Sequence, residues 1–251
     1  MINGMLIDTH CHIHEPDYPL PVADVLQRAH DAGVRRMICV GTSEQSSADA
    51  VRFASEHDHI FASVGVHPHD TKDGYAQITE LAKQGAIAVG EIGLDYYYNH
   101  SPRDVQIAAL ESQIQTALDN NLPIIFHVRE AFDDFWPLFD NFQGIRGVLH
   151  SFTDTQDNLD QAFARGLYVG INGISTFTKD PAQQKMYASV PLERMLLETD
   201  APFLTPTPYR GTINEPAFVS EVAKFHAKIR GIQLDEVAAA TTTNATTLFR
   251  L

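Results

Sequence analysis

The chain is expected to be an α/β protein, a single (β/α)8 barrel over residues 1–251. Three observations predict this. Eight short apolar runs alternate with helical segments from one end to the other. The runs are rich in Val, Ile and Leu, as strands are when both of their faces are buried. The length, 251 residues, suits right-handed β-α units repeated until the sheet closes, which takes about 250 residues. No linker, low-complexity tract or shift in composition divides the chain, so one domain is expected. An open doubly wound sheet is the alternative, but no Gly-x-Gly-x-x-Gly follows the first strand.

The first strand is expected at Met5–Thr9, followed by a helix over Val22–Ala32 that stops at Gly33. A strand at Arg36–Val40 leads to a helix over Glu44–His57, and a strand at Phe61–Val66 to a helix over Tyr75–Gln84 ended by Gly85. After the strand Ile87–Ile92, Ser101 reads as an N-cap with Pro102 in the first turn. The apolar positions Ile107, Leu110, Ile114, Ala117 and Leu118 mark the inward face of that helix. Strands at Pro123–His127, Gly147–His150 and Tyr168–Ile171 alternate with helices over Phe132–Phe139 and Asp157–Arg165. Asp180-Pro181 caps another helix, and Met195–Glu198 is the eighth strand. Two helices close the chain. One carries Phe218, Val222, Phe225 and Ile229 on one face, and the other runs over Asp235–Phe249.

Composition narrows the function classes. The formal net charge of −14 argues against broad electrostatic binding to nucleic acid or an anionic membrane. It leaves room for an anionic substrate at one local site, where bound cations supply the positive charge. No apolar run approaches the ~18 residues of a membrane span. The first residues, Met-Ile-Asn-Gly-Met, carry no basic patch or secretory segment, and Gly4 is not at the position myristoylation requires. Only Cys11 and Cys39 are present, which excludes a disulfide framework and fits a reducing compartment. A cytoplasmic location is expected.

In a barrel of this kind the active site lies at the C-terminal ends of the strands. Here those ends are occupied by one kind of chemistry. Strand one ends in His10 and His12, with Cys11 on the opposite face; strand three runs into His67-Pro68-His69. Strand four carries Glu91 and Asp95, strand five His127 and Arg129, strand six His150, and strand eight Glu198 and Asp200. Imidazole and carboxylate donors without thiolate suit zinc, manganese or magnesium-like ions at a reactive site. Even four of these histidines with two of the carboxylates are too many for one tetrahedral ion with an open position. They suit two ions ~3.5–4 Å apart, bridged by a carboxylate.

The motifs resemble those of the TatD-type metal-dependent deoxyribonucleases, a branch of the amidohydrolase-like TIM barrels, over nearly the whole chain. The matching stretches are Asp8-Thr9-His10-Cys11-His12, Gly65-Val66-His67-Pro68-His69, Gly90-Glu91-Ile92-Gly93-Leu94-Asp95, Phe126-His127-Val128-Arg129, His150-Ser151-Phe152-Thr153, Asn172-Gly173, Glu198-Thr199-Asp200-Ala201-Pro202 and Arg210-Gly211 with Asn214-Glu215-Pro216. Asp154 stands where the family usually has Gly, and Thr212 where it usually has Lys, which removes a cation near the mouth.

The resemblance implies that His10, His12 and Asp200 hold one ion, that Glu91 bridges, and that His127 and His150 hold the second. Asp200 is then the expected general base, and His67, Arg129 and Arg210 the expected phosphate contacts. Glu198 is either a buried hydrogen-bonded carboxylate or a helper of a further ion. Tyr96-Tyr97-Tyr98 reads as loop packing rather than as a surface for stacking bases. The function so implied is hydrolysis of DNA phosphodiesters, from the 3′ end of single strands, by a water that the metal activates. An alternative on the same centre is ester or amide hydrolysis, such as deacylation of aminoacyl-tRNA. A metal-dependent scaffold without turnover is a third reading. The oligomeric state is left open.

Overall fold

The computed structural model describes residues 5–251. Residues 1–4, on which the reading of N-terminal signals partly rests, lie outside the described residues. The strands follow one another through the sheet in chain order, β1 to β8. They are β1 (Leu6–Cys11), β2 (Val34–Val40), β3 (Ile60–Val64), β4 (Ala88–Asp95), β5 (Ile124–Arg129), β6 (Gly147–Leu149), β7 (Tyr168–Ile171) and β8 (Met195–Leu197). Between and after them come α1 (Val22–Asp31), α2 (Glu44–Ser55), α3 (Ile78–Leu81), α4 (Arg103–Asp119), α5 (Phe132–Phe139), α6 (Gln156–Ala164), α7 (Ile174–Phe177), α8 (Pro181–Ser189), α9 (Val219–Arg230) and α10 (Leu234–Phe249). The expected α/β class and the β-α order are those observed. Two compact units result, one of residues up to Ile38 with Ser151–Leu251, the other Cys39–His150.

In the unit Cys39–His150, β3, β4, β5 and β6 pair in parallel. The register between β4 and β5 shifts between Val89 and Ile92, which sets Gly93 opposite His127 and Asp95 opposite Arg129. Every residue of β4 is buried, as the apolar run requires. Helix α4 packs on β4 through Leu110, Ile114 and Ala117, all fully buried. Two glutamines share this face. Gln106 Oε1 accepts from the Asp95 N–H (2.9 Å) and its Nε2 donates to the Asp95 carbonyl (3.1 Å), while Gln113 does the same for Val66. They satisfy backbone groups that the ends of strands leave without ladder partners.

In the other unit β7 and β8 pair in parallel. β1 lies beside the end of β8: Cys11 and Ala201 form a parallel bridge, His12 N–H donates to the Ala201 carbonyl (2.8 Å) and Asp200 N–H to the His10 carbonyl (2.8 Å). First and last strands are therefore neighbours, as a sheet that closes on itself requires. Leu6, Val169, Ile171 and Leu196 fill this interior without measurable exposure. Cys11 faces away from the histidines, and its S–H donates to the Ile38 carbonyl (3.5 Å), a packing role as expected. Both cysteines are buried. Among the described residues no helix is long and apolar enough to cross a membrane.

Three expectations are corrected. The helix placed at Tyr75–Gln84 shrinks to Ile78–Leu81, because Gly74 at φ +116° and a separate turn over Thr71–Asp73 take up the approach. Ser101 does not cap α4. Its hydroxyl donates to the His69 carbonyl (2.7 Å), and Pro102 takes the cap position without a side-chain bond. The inward face of α9 is Val219, Val222, Ala223 and His226, whereas Ile229 is 40% exposed. The expected cap at Asp180 is observed, and Thr155 caps α6 in the same way: each side chain accepts a backbone N–H of the helix that follows.

Candidate metal centre

Because β1 and β8 adjoin, the polar residues at their ends meet. His10 Nε2 and His12 Nε2 are 3.2 Å apart. Asp200 Oδ1 lies 3.6 Å from the first and 3.3 Å from the second. His10 and His12 are buried, and the Asp200 side chain is 15% exposed. Asp200 also sits at φ +60°, a left-handed backbone that costs a non-glycine residue and that gathers at functional sites. A buried carboxylate holds this arrangement. Asp8 Oδ1 accepts from the Thr199 N–H (2.9 Å) and the His10 N–H (3.3 Å), and Oδ2 from the Thr199 hydroxyl (2.6 Å). One side chain thus fixes the backbone immediately before Asp200 and at His10. Burial pushes the Asp8 carboxyl up to about 8, against the bonds from Thr199 and His10 that favour its anion.

The unit Cys39–His150 gathers the second set. Glu91 Oε1 is 2.7 Å from His127 Nδ1, 2.8 Å from His150 Nε2 and 3.6 Å from His67 Nε2. His67, Glu91 and His127 each offer a donor atom to one shared position. The other nitrogen of His127, Nε2, lies 3.1 Å from Asp95 Oδ2, an oxygen that His69 Nε2 also reaches at 3.0 Å. A carboxylate behind a histidine fixes the orientation and tautomer of that ring. Burial alone would raise the Asp95 carboxyl, but bonds from His127, the Tyr98 N–H and His69 hold it well below the usual carboxylate range. Burial pulls His67 well below the usual histidine range, helped by His127 and against the attraction of Glu91. A neutral imidazole keeps a lone pair for a metal, or a single N–H for a phosphate.

The expected metal residues therefore fall into two groups, each assembled: His10, His12 and Asp200 in one unit, Glu91, His127 and His150 in the other. His67 joins the second group. Arg129 lies outside both. It is exposed, and its guanidinium stacks 4.0 Å above the Tyr97 ring. Arg210 lies over Phe177 at 3.8 Å and donates to the Thr205 carbonyl (2.7 Å), holding its own loop. Glu198 is buried and its Oε1 accepts the Ser151 N–H (2.6 Å), so it braces the turn after β6. Asp8 and Asp95 carry roles that the sequence reading did not assign. Period-two spacing was the available signal, since Asp8 precedes His10 by two residues and Asp95 follows Glu91 by four.

The donors test well against a divalent ion. They are imidazole and carboxylate only, they converge within each set, and behind the His127 ring stands a further carboxylate, Asp95. Each set can hold a cation among its donors and set a water against an electrophile.

Comparison with known proteins agrees. The model of a family described as TatD related DNase matches residues 7–250. The chain is 35% identical to the uncharacterized metal-dependent hydrolase YabD of Bacillus subtilis, over 98% of this chain and 100% of that one. It is 34% identical to the 3′-5′ ssDNA/RNA exonuclease TatD of Citrobacter rodentium, over 90% of each. The crystal structure of YjjV, a TatD homologue from Escherichia coli, superposes with a TM-score of 0.90 at 28% identity, covering 98% of both chains.

Proposed function

This chain belongs to the TatD-related DNase family of metal-dependent hydrolases, and from that premise we propose that it is a deoxyribonuclease that trims single-stranded DNA from the 3′ end. The observation that carries the reading is the convergence of imidazoles on one carboxylate oxygen, with His127 and His150 both within 2.8 Å of Glu91 Oε1. His10, His12 and Asp200 form the matching set. Two divalent ions, zinc, manganese or magnesium, would be held by His10, His12, Glu91, His127, His150 and Asp200, with residues 1–251 acting as one domain. A cytoplasmic location accords with a chain whose two cysteines are both buried.

Divalent ions held there would supply two things: a more acidic water, and positive charge against the phosphoryl oxygens. The chain's own groups do the rest. Asp200 is the most open of the two sets' carboxylates and accepts the proton of the attacking water. His67, neutral because it is buried, offers its N–H to a phosphoryl oxygen. Asp95 keeps the His127 ring from turning, and Asp8 keeps His10 and Asp200 at their separation. Arg129 brings an exposed positive charge beside the second set, which a chain of net charge −14 needs locally to meet a polyanion.

The test uses end-labelled single-stranded DNA, with metal-stripped protein re-supplied with magnesium, manganese or zinc. Stepwise shortening from the 3′ end is expected, slowed at least ~100-fold in Asp200→Asn, the scale of a lost general base. If folded, metal-loaded protein leaves DNA intact with every ion, the nuclease reading fails. Aminoacyl esters are then the next substrates to try.

A further inference from the structure

The three consecutive tyrosines after β4 do not behave alike. Tyr96 is buried, its hydroxyl 2.7 Å from Asp134 Oδ2 and its ring under Arg103. Tyr97 and Tyr98 are 52% and 51% exposed. Their rings meet edge to face at 4.7 Å. Arg129 lies 4.0 Å above the first and 4.9 Å from the second. His100 stacks parallel to Tyr98 at 5.6 Å, and His69 meets the Tyr98 edge at 5.4 Å. Tyr96 packs into the loop as expected; Tyr97 and Tyr98 pack on each other and under Arg129 and still leave half their surface exposed.

The surface so formed is tied to the metal ligands. Asp95 Oδ1 accepts the N–H of Tyr97 and of Tyr98, each at 3.0 Å. Its other oxygen reaches His127. One carboxylate therefore sets the position of two exposed aromatic rings and of a ligand histidine. Arg129 has no carboxylate partner within ion-pairing distance among the described residues, and its position is set by the β4–β5 ladder. Exposed aromatic rings that adjoin one another and are rimmed by polar groups are the kind of patch that marks a binding surface. Aromatic rings beside a free cation are what single-stranded nucleic acid offers its bases and phosphates to.

We infer that Tyr97 and Tyr98, backed by Arg129, form a stacking subsite for a base of single-stranded DNA next to the bond being cut. The inference rests on the nuclease reading and adds to it the surface that tells a base-bearing strand from a bare backbone.

The experiment compares metal-loaded wild type, the Tyr97→Ala/Tyr98→Ala pair and the Tyr97→Phe/Tyr98→Phe pair. The substrates are a single-stranded oligonucleotide and the same strand with abasic residues at its 3′ end. Wild type should show a KM ~10-fold or more lower on the base-bearing strand, the scale of one stacked base. The Ala pair should lose that preference and match wild type on the abasic strand. The Phe pair should keep it. A wild type that cleaves both strands equally well overturns the subsite and leaves the nuclease reading standing. So does an Ala pair that keeps the preference, or one that loses activity on both strands alike with a lower melting temperature, which would mark a structural role. A wild type that cleaves neither strand overturns both readings.

Discussion

Gly93→Ala should disable the second metal set through the backbone alone. Gly93 stands opposite His127 across the β4–β5 ladder. A Cβ at this position would fall 1.8 Å from the His127 carbonyl oxygen and 2.7 Å from its carbon, and the residue is at φ +156°. Reaching the 3.4 Å of an ordinary contact requires His127 to retreat by about 1.6 Å. The obstacle is backbone, so no rotamer relieves it. His127 would leave the 2.7 Å and 3.1 Å bonds to Glu91 and Asp95 that hold its ring. Overpacking of this kind costs ~3 kcal/mol, the upper end of its usual range. For a chain of this size that is a drop of about 6–12 °C in melting temperature. A misplacement of 1 Å can cost ~100-fold in rate. The assay is calorimetric melting with metal content and kcat on the same preparations. Gly144→Ala is the control: φ there is +79° and no atom lies within 4 Å of the new carbon, so only the backbone term of about 1–2 kcal/mol applies. A Gly93→Ala protein that melts with the control and keeps metal and rate would refute the assignment of His127 to the centre and the steric argument together.

Two further perturbations probe the frame. Arg28 Nε and Nη2 donate to both oxygens of the buried Glu215, at 2.9, 2.9 and 2.5 Å. Arg28→Ala should lower the urea unfolding free energy by about 1–3 kcal/mol, towards the smaller figure because the guanidinium is half exposed. Arg28→Lys should recover only part, since it lacks the planar fork. His226 is fully buried with Nε2 3.1 Å from Ser175 Oγ, and burial, then the charge of Arg230, pulls it down to about 3. Its folded value lies below its unfolded one, so the unfolded chain takes the proton first as pH falls. Stability is then lost from about pH 6.5 downwards, at about 1.4 kcal/mol per unit. Urea unfolding between pH 5.5 and 4 should show wild type losing that much more per unit than His226→Leu; parallel slopes would contradict it.

Much of the fold is legible because a strand buried on both faces must be an unbroken apolar run, and eight such runs stand out. The edges are less so, for a physical reason. β1 extends through His10 to Cys11 because backbone pairing with Asp200 and Ala201 continues past the last apolar side chain, and side-chain pattern carries no information on that. The face of α9 is misjudged for a related reason. Bulky apolar residues suggested Ile229, yet close packing selected the small Ala223 and a buried His226 in its stripe and left Ile229 to solvent.

The histidines proposed as ligands are legible for a different reason. A strand end that carries imidazole after an apolar run has few structural excuses, so residue type and position alone mark His10, His12, His127 and His150. The residues behind them have no such mark. An aspartate at a strand end can cap a turn, meet solvent or orient a ring, and only the chain that returns beside it decides which. Asp95 does two of these at once, accepting the N–H groups of Tyr97 and Tyr98 on one oxygen and facing His69 and His127 with the other. This double role explains how an exposed aromatic surface and a proposed ligand, His127, come to be set by one side chain. A change at Asp95 should therefore disturb metal affinity and strand preference together, whereas a change at Tyr97 or Tyr98 should disturb the second alone.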